Sequence, residues 1–300
     1  MKERGKKVIV FGGTGFLGTY VSDALTNAGF QVTIFDRNAS PYLKENQNMI
    51  IADILDLSKV SDAVKDADIV YHFAGIADIK EANQKPLEAV KYNVVGTTNI
   101  LEACVKAGIS RFVYASTVYV YSEHGGVYRS TKQASELLIE NYQQLFGLNY
   151  TILRFGSLYG RRANEFNWIH KIIKQALTEG KMQRKGDGNE VRDYIHVHDA
   201  AKICVDILDE QYKNDYIMLT GTQTITIKNL LLMIREMLNK DVTIEYLDEH
   251  MEGHYELTPY TFRPRVAKKY TSNTQFDLGQ GILDTIYDVY TDINESVDRK

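Results

Sequence analysis

The sequence predicts an α/β chain: a doubly wound parallel sheet in residues 1–157, then a smaller α/β cap in residues 158–300 that returns some elements to the first domain. Three observations carry this. Short β-branched runs alternate with amphipathic helical stretches from the N-terminus onward. Strands separated by helices of about ten or more residues pair in parallel through right-handed crossovers. The first strand runs straight into a glycine-spaced turn and a helix, "KVIVFGGTGFLG", and the βα rhythm breaks only after Tyr159.

In chain order, "KVIVFGG" is a strand and Phe16 to Ala28 a helix that ends at Gly29. "FQVTIFD" and "MIIADI" are the second and third strands, "LSKVSDAVKDA" a helix and "DIVYHFAG" a fourth strand. One long helix is expected from Pro86 to Ala107, then the strand "RFVYAST", a helix opening near Tyr128, and the strand "YTILRFG". Beyond Tyr159, "ANEFNWIHKIIKQALTEG", "DAAKICVDILDE" and "TIKNLLLMIREMLNK" have helical periodicity, while "EVRDYIHV", "YIMLTG" and "VTIEYL" read as strands. Residues 248–274 have no clear period.

Composition excludes several classes of function. With 300 residues, 44% hydrophobic and 25% charged, the chain has an ordinary soluble globular make-up. A formal net charge of −4 offers no broad attraction to nucleic acid or anionic membranes. The longest apolar runs are strand-sized, and "MKERGKK" leads into the first strand without a signal-peptide stretch, so a cytoplasmic protein is expected. Cys104 and Cys204 both fall in helical patterns and read as buried free thiols. His196 and His198 sit on a strand–helix junction, and His250 and His254 are four apart with Gly253 between them. Neither pair makes a metal site, and no metal is expected.

Gly12, Gly15 and Gly18 stand in the order G-x-x-G-x-x-G between a buried strand and a helix. Glycines there permit a tight turn, close approach of backbone to a pyrophosphate, and close helix–strand contact. The helix start, with Phe16 and Leu17, supplies free N–H groups to phosphates. The next strand ends in Asp36, whose carboxylate can accept from both ribose hydroxyls and repel a 2′-phosphate, which favours NAD. Arg37 keeps NADP open, because an arginine there can accommodate that phosphate.

"GGVYRSTKQASE" holds the one Tyr-x-x-x-Lys of the chain, Tyr128 and Lys132, among 20 tyrosines. Spacing alone does not make the pair catalytic; it does place both on one helix face. An ammonium and a positively charged nicotinamide would both favour the phenolate of a tyrosine, a poor base at its ordinary pKa near 10.

With these motifs in view, the chain resembles the extended short-chain dehydrogenases/reductases, in the NAD-dependent epimerase/dehydratase group that acts on nucleotide sugars. The resemblance runs along nearly the whole chain and implies a Rossmann-type NAD-binding domain followed by a substrate-binding one. "GGTGFLG" is similar to the group's glycine loop, and Asp53 in "ADILD" to its adenine-contacting aspartate, with Ile54 beside it. "HFAG" is similar to the fourth-strand motif, adding Phe73, Ala74 and Gly75 to the cofactor side. "YNVVGTTNILEAC" puts Asn93 in a structural position. "YASTVYVY" carries the catalytic hydroxyl. Placing "VY" at Val120–Tyr121 selects Thr117 over its neighbour Ser116, and adjacent strand residues face opposite ways. "VRDYIHVHDAA" puts Arg192 at the substrate diphosphate, with the alternative of a structural ion pair.

The resemblance implies the catalytic set Thr117, Tyr128 and Lys132, and counts Ser116, Thr117, Ser157, Arg192 and Arg263 on the substrate side. The implied partners are a nucleotide diphosphate sugar and a second copy of the chain, as a homodimer. The tyrosine-rich "HYELTPYTFRPR" is either a substrate-facing loop or surface packing. The chain also departs from the group. The usual insertion between the Thr117 and Tyr128 motifs is missing, and Ser157 replaces a common asparagine. Val118 and Tyr119 occupy the Asp-Glu places of the sugar dehydratases, and decarboxylating relatives need a glutamate there. An epimerase working at sugar C4 through a 4-keto intermediate is therefore favoured. A 4-keto-sugar reductase is the alternative, ahead of a dehydratase or a redox-silent NAD-binding protein.

Overall fold

Val8, Val10 and Phe11 are completely buried, as in a strand covered by helices on both faces. That strand opens the computed structural model, which describes residues 5–163, 167–238, 241–247, 267–270 and 276–298. The elements begin with β1 (Lys7–Phe11), α1 (Phe16–Asn27), β2 (Gln31–Asp36), β3 (Gln47–Ile51), α2 (Leu57–Val64) and β4 (Ile69–His72). They continue with α3 (Ile79–Gln84), α4 (Pro86–Val90), a π-helical stretch (Lys91–Val95), α5 (Gly96–Ala107) and β5 (Arg111–Thr117). A 3₁₀ turn (Val118–Tyr121), α6 (Gly126–Phe146) and β6 (Tyr150–Phe155) follow. Next come β7 (Ser157–Tyr159), α7 (Trp168–Glu179), β8 (Lys181–Lys185), β9 (Val191–His196), α8 (Val197–Asp206) and β10 (Asp215–Leu219). The chain ends with β11 (Thr224–Thr226), α9 (Ile227–Leu238), β12 (Thr243–Leu247), β13 (Lys268–Lys269) and α10 (Leu278–Asp298).

Two compact units divide the chain: Met1–Phe155 with Ala200–Leu219 and Tyr260–Lys269, and Gly156–Asp199 with Thr220–Pro259 and Tyr270–Lys300. The first contains an eight-stranded sheet in the order β13-β10-β6-β5-β4-β1-β2-β3. Every described pairing in it is parallel. β1 lies between β2 and β4, so chain order reverses direction there. In such sheets a ligand sits outside the carboxyl ends of the strands beside that reversal. Those ends carry the glycine turn, Asp36 and the segment after His72.

The expected long helix from Pro86 to Ala107 is present, but its middle is π-helical. This local change of hydrogen-bond register shapes the surroundings of Asn93. The Asn93 carbonyl accepts from Thr97 Oγ1 at 2.6 Å and from Ser135 Oγ of α6 at 2.7 Å.

A polar hub lies within the apolar core of the same unit. Arg154 on β6 is 1% exposed and sends Nε and Nη2 to the two oxygens of Glu136 on α6, at 2.9 and 2.6 Å. Its guanidinium stands between the rings of Tyr121 and Tyr216, 4.5 and 4.4 Å from their centroids. It also donates to the Tyr121 hydroxyl, which accepts in turn from the Ala267 amide at 2.9 Å. Four elements and the segment leading to β13 therefore meet at one buried cation.

The second unit builds its own core from Ile169, Ile172 and Ile173 of α7, Leu230, Leu231 and Ile234 of α9, and Ile282 and Val289 of α10. β9 pairs antiparallel with β11 and parallel with β7, while β8 and β12 form a separate parallel pair. α10 has no counterpart among the elements read from the sequence, although its inward residues recur at helical spacing. β7, β8 and β13 are likewise unassigned there. Of the aperiodic 248–274 stretch, residues 267–270 are described, and Lys268–Lys269 pair with Ile217 and Met218 at the sheet edge. His250, His254 and the whole tyrosine-rich stretch lie outside the described residues.

Arg154→Met leaves the buried Glu136 carboxylate without its counter-ion. Breaking one side of such a pair costs about 3–5 kcal/mol. Urea denaturation of Arg154→Met should show a loss of that order, and Arg154→Met/Glu136→Leu should recover most of it.

Candidate active site

The turn after β1 is shaped by what its glycines exclude. Gly12 has φ +77°, and a Cβ on it would lie 2.5 Å from the Ala74 nitrogen, at the segment that follows β4. A Cβ on Gly18 would lie 2.2 Å from the Gly12 carbonyl oxygen, so α1 can press against the turn only without a side chain. Gly15 occupies the N-cap of α1 and supplies no side-chain cap, so the first N–H groups of the helix, from Phe16, Leu17 and Gly18, remain open to an anion. The Asp36 carboxylate at the end of β2 accepts from the Thr14 amide at 3.2 Å and the Arg37 amide at 2.7 Å. The turn and the carboxylate are thus held together, and this cradle fits the pyrophosphate and ribose of a dinucleotide.

Other expected cofactor residues surround the same strand ends. Asp53 accepts from the Leu55 amide at 2.9 Å and from the Tyr92 hydroxyl at 3.4 Å. Ile54 is buried, and a Cβ on Gly96 of α5 would press on its Cδ1 at 2.5 Å; its carbonyl accepts from Asn99. Phe73 continues the β4 alignment, its amide donating to Phe11 at 2.8 Å. Asn93 holds the turn after Gly75 by both ends of its amide, accepting from the Ile76 amide at 2.7 Å and donating to the Ile76 carbonyl at 3.0 Å. The same amide donates to Thr131 Oγ1 of α6 at 3.0 Å.

Thr117 ends β5, and Tyr128 and Lys132 lie in the first two turns of α6; all three are buried. The Thr117 hydroxyl accepts from the Tyr119 amide at 3.2 Å and stands near enough to the Tyr128 phenol to favour its ionised form. Lys132, one turn along α6, donates to the Ala115 carbonyl at 2.8 Å. Its Nζ lies 4.8 Å from the Tyr114 ring centroid and 5.9 Å from that of Tyr128. Burial, opposed by the neighbouring Thr117 hydroxyl, pushes the Tyr128 phenol up to about 12. Burial also brings the Lys132 ammonium down to about 8, with Glu136 opposing. Burial therefore favours a neutral phenol and destabilises the ammonium beside it.

Ser116 is turned away from this group. Its hydroxyl donates to Glu136 Oε1 at 2.5 Å, inside the Arg154 hub. The alternation along β5 turns Ser116 toward the core and Thr117 the other way. Glu136 and Arg154 support the site without any local signal in the sequence; only the one-turn spacing from Lys132 to Glu136 hints at them. Ser157 and Arg192 belong to the second unit, on paired strands β7 and β9. Arg192 is buried and donates through Nη1 to the Val191 carbonyl at 3.0 Å. Arg263 lies outside the described residues. His196 and His198 stack with Phe276 in ring contacts, and among the described residues no group of His, Cys, Asp and Glu could hold a metal ion.

The depressed Lys132 value has a consequence for stability. Its folded pKa, about 8, lies below the ordinary 10.5, so the unfolded chain binds more protons between these values. The Lys132 contribution to stability is full above pH 10.5 and is lost as pH falls through 8. Urea titrations at pH 8 and pH 10 should show a gain in the unaltered protein that Lys132→Met lacks.

Comparison with known proteins agrees with this geometry. The family model described as "NAD dependent epimerase/dehydratase family" matches residues 8–218. A UDP-N-acetyl-alpha-D-glucosaminuronate decarboxylase of Bacillus cytotoxicus is 30% identical, covering 71% of this chain and 74% of the relative. A UDP-glucose 4-epimerase of Rhizobium leguminosarum is 28% identical over 97% of this chain and 99% of its own. The crystal structure of a UDP-glucuronic acid 4-epimerase from Bacillus cereus, in complex with UDP-glucuronic acid and NAD, shares the fold with a TM-score of 0.83. It is 24% identical and covers 95% of this chain and 99% of its own. The chain belongs to the NAD-dependent epimerase/dehydratase family.

Proposed function

We propose that the protein is an NAD-dependent nucleotide-sugar 4-epimerase, acting through a transient 4-keto sugar. The observation that carries the reading is the buried Thr117–Tyr128–Lys132 group at the end of β5. The glycine turn and Asp36 would hold NAD, which when bound accepts a hydride from sugar C4 and returns it to the other face. Tyr128 takes the C4 hydroxyl proton as that hydride leaves and gives it back on return. Thr117 keeps the phenol oxygen aimed at the reacting hydroxyl. With the phenol at about 12, proton uptake needs the Lys132 ammonium and the positive charge of the oxidised cofactor to favour phenolate.

The dehydratase and decarboxylase readings lack their acid or base. Val118 and Tyr119 follow Thr117, and the Tyr119 ring packs edge-on against Tyr128 with centroids 6.5 Å apart. The glutamate that a decarboxylating relative needs at that position has no counterpart here. NAD retained through purification and released on denaturation supports the epimerase, since the cofactor is regenerated in each cycle. A protein that requires added reduced cofactor is a reductase instead. The homodimer rests on exposed Leu87, Val90 and Val95 along α4 to α5, with Leu137, Leu145 and Phe146 of α6. These offer apolar surface to a second copy, which sedimentation measures.

A screen of UDP-, dTDP-, GDP- and CDP-sugars, with NMR readout of C4 inversion, identifies the substrate. Tyr128→Phe should then keep its fold and NAD binding but lose about a hundred- to ten-thousandfold in turnover. Near-normal turnover in that variant would remove Tyr128 from the chemistry.

Arg192 is the proposed contact to the substrate diphosphate, a role suited to a planar two-pronged donor. One charge-assisted contact is worth roughly 1.5–3 kcal/mol. Arg192→Ala should therefore weaken sugar-nucleotide binding about ten- to a hundredfold and leave NAD affinity unchanged. Calorimetric titration with the best sugar nucleotide from the screen measures both.

A further inference from the structure

Asp36 and Arg37 are neighbours at the end of β2 with opposite preferences for a dinucleotide. A carboxylate repels a 2′-phosphate, and a guanidinium attracts one. The two side chains are anchored differently. The Asp36 carboxylate is bound to backbone amides of the glycine turn and of its own chain, from Thr14 and Arg37. The Arg37 guanidinium instead lies over the ring of Tyr92, 4.8 Å from its centroid, and donates through Nη1 to the Tyr92 hydroxyl at 3.2 Å. Tyr92 belongs to the π-helical stretch, directly before Asn93. Its own hydroxyl donates to Asp53 Oδ2 at 3.4 Å. A chain of contacts thus runs from Arg37 through Tyr92 to Asp53, across residues 55 and 39 positions apart in sequence.

We infer that Tyr92 is a further specificity-determining residue: it latches Arg37 on its ring and hydroxyl, so that Asp36 alone decides between NAD and NADP. To meet a 2′-phosphate, Arg37 would have to give up both contacts. Each is a modest surface interaction, and together they penalise its recruitment by about three- to tenfold. The Tyr92–Asp53 contact limits how far the ring can follow Arg37. The latch deepens the NAD reading above and rests on it.

The test is a set of calorimetric titrations of NAD and NADP, with no turnover required. The unaltered protein should bind NAD more tightly. Tyr92→Ala should move the NAD/NADP affinity ratio toward NADP by about three- to tenfold. Tyr92→Phe, which keeps the ring and cannot disturb the neighbouring backbone, should move it by a smaller factor in the same direction. Both shifts should vanish when Arg37→Ala is already present, because there is then no guanidinium to release. Arg37→Ala by itself should change NADP affinity little. A Tyr92→Ala protein that loses affinity for both cofactors equally, or shifts the ratio just as far without Arg37, would overturn the latch. An NAD preference unmoved by either Tyr92 variant would overturn it as well. NADP bound more tightly by the unaltered protein would sink the NAD reading itself, and the latch with it.

Discussion

The carboxylate of Glu136 is the constraint on which the site's geometry depends. It is buried and engages both β5 and β6: Ser116 donates to it at 2.5 Å and Arg154 at 2.9 and 2.6 Å. Ser116 is the residue before Thr117, and Glu136 lies one helical turn past Lys132. Setting those two contacts therefore sets the height of α6 against the end of β5. The separation of the Thr117 hydroxyl from the Tyr128 phenol follows from that alignment. A buried ion pair is weak support for stability, since desolvation offsets most of its attraction. Its value here is directional: two strands and a helix can satisfy one carboxylate in one arrangement.

Asn93 supplies the second restraint on α6, on the neighbouring face of the helix. Its amide holds the Ile76 backbone and Thr131, and its carbonyl takes the Thr97 and Ser135 hydroxyls. A carbonyl in an unbroken α-helix normally accepts from the amide four residues on. The π-helical register of Lys91–Val95 alters that pattern around Asn93. The same stretch puts Tyr92 next to Arg37 and Asp53. One local irregularity thus shapes both the support beneath α6 and the contacts that join Arg37, Tyr92 and Asp53.

Much of this architecture is legible in the sequence because it is written locally. The glycine spacing after β1, the carboxylate at the end of β2 and the Tyr-x-x-x-Lys pair each state their geometry within a few residues. The opposite facing of Ser116 and Thr117 is also local, since side chains alternate along a strand. What escapes is written at long range or in hydrogen-bond register. Arg154 meets Glu136 across 18 positions and Tyr121 across 33, and no spacing rule announces either. The π-helical turn cannot be seen in "YNVVGTT", whose residues suit an α-helix equally well. α10 is a different case. Leu278, Ile282, Ile286, Val289 and Ile293 recur at helical intervals and pack into one core, so the signal was present, next to an aperiodic stretch that obscured it.

The electrostatics of the site follow from how Glu136 is occupied. Arg154 and Ser116 already bind its two oxygens, and Lys132 hydrogen-bonds to the Ala115 carbonyl, so Glu136 acts on the ammonium only through space. Burial of that ammonium then dominates, and its value falls to about 8. Burial of the adjacent phenol acts the other way and raises Tyr128 to about 12. Each shift disfavours a charge that would stand alone. A phenolate and an ammonium formed side by side would relieve one another, because opposite charges at this range favour both ionised forms. Loss of a proton by Tyr128 and its retention by Lys132 are therefore one coupled event. A further positive charge beside the pair would favour the first and oppose the second.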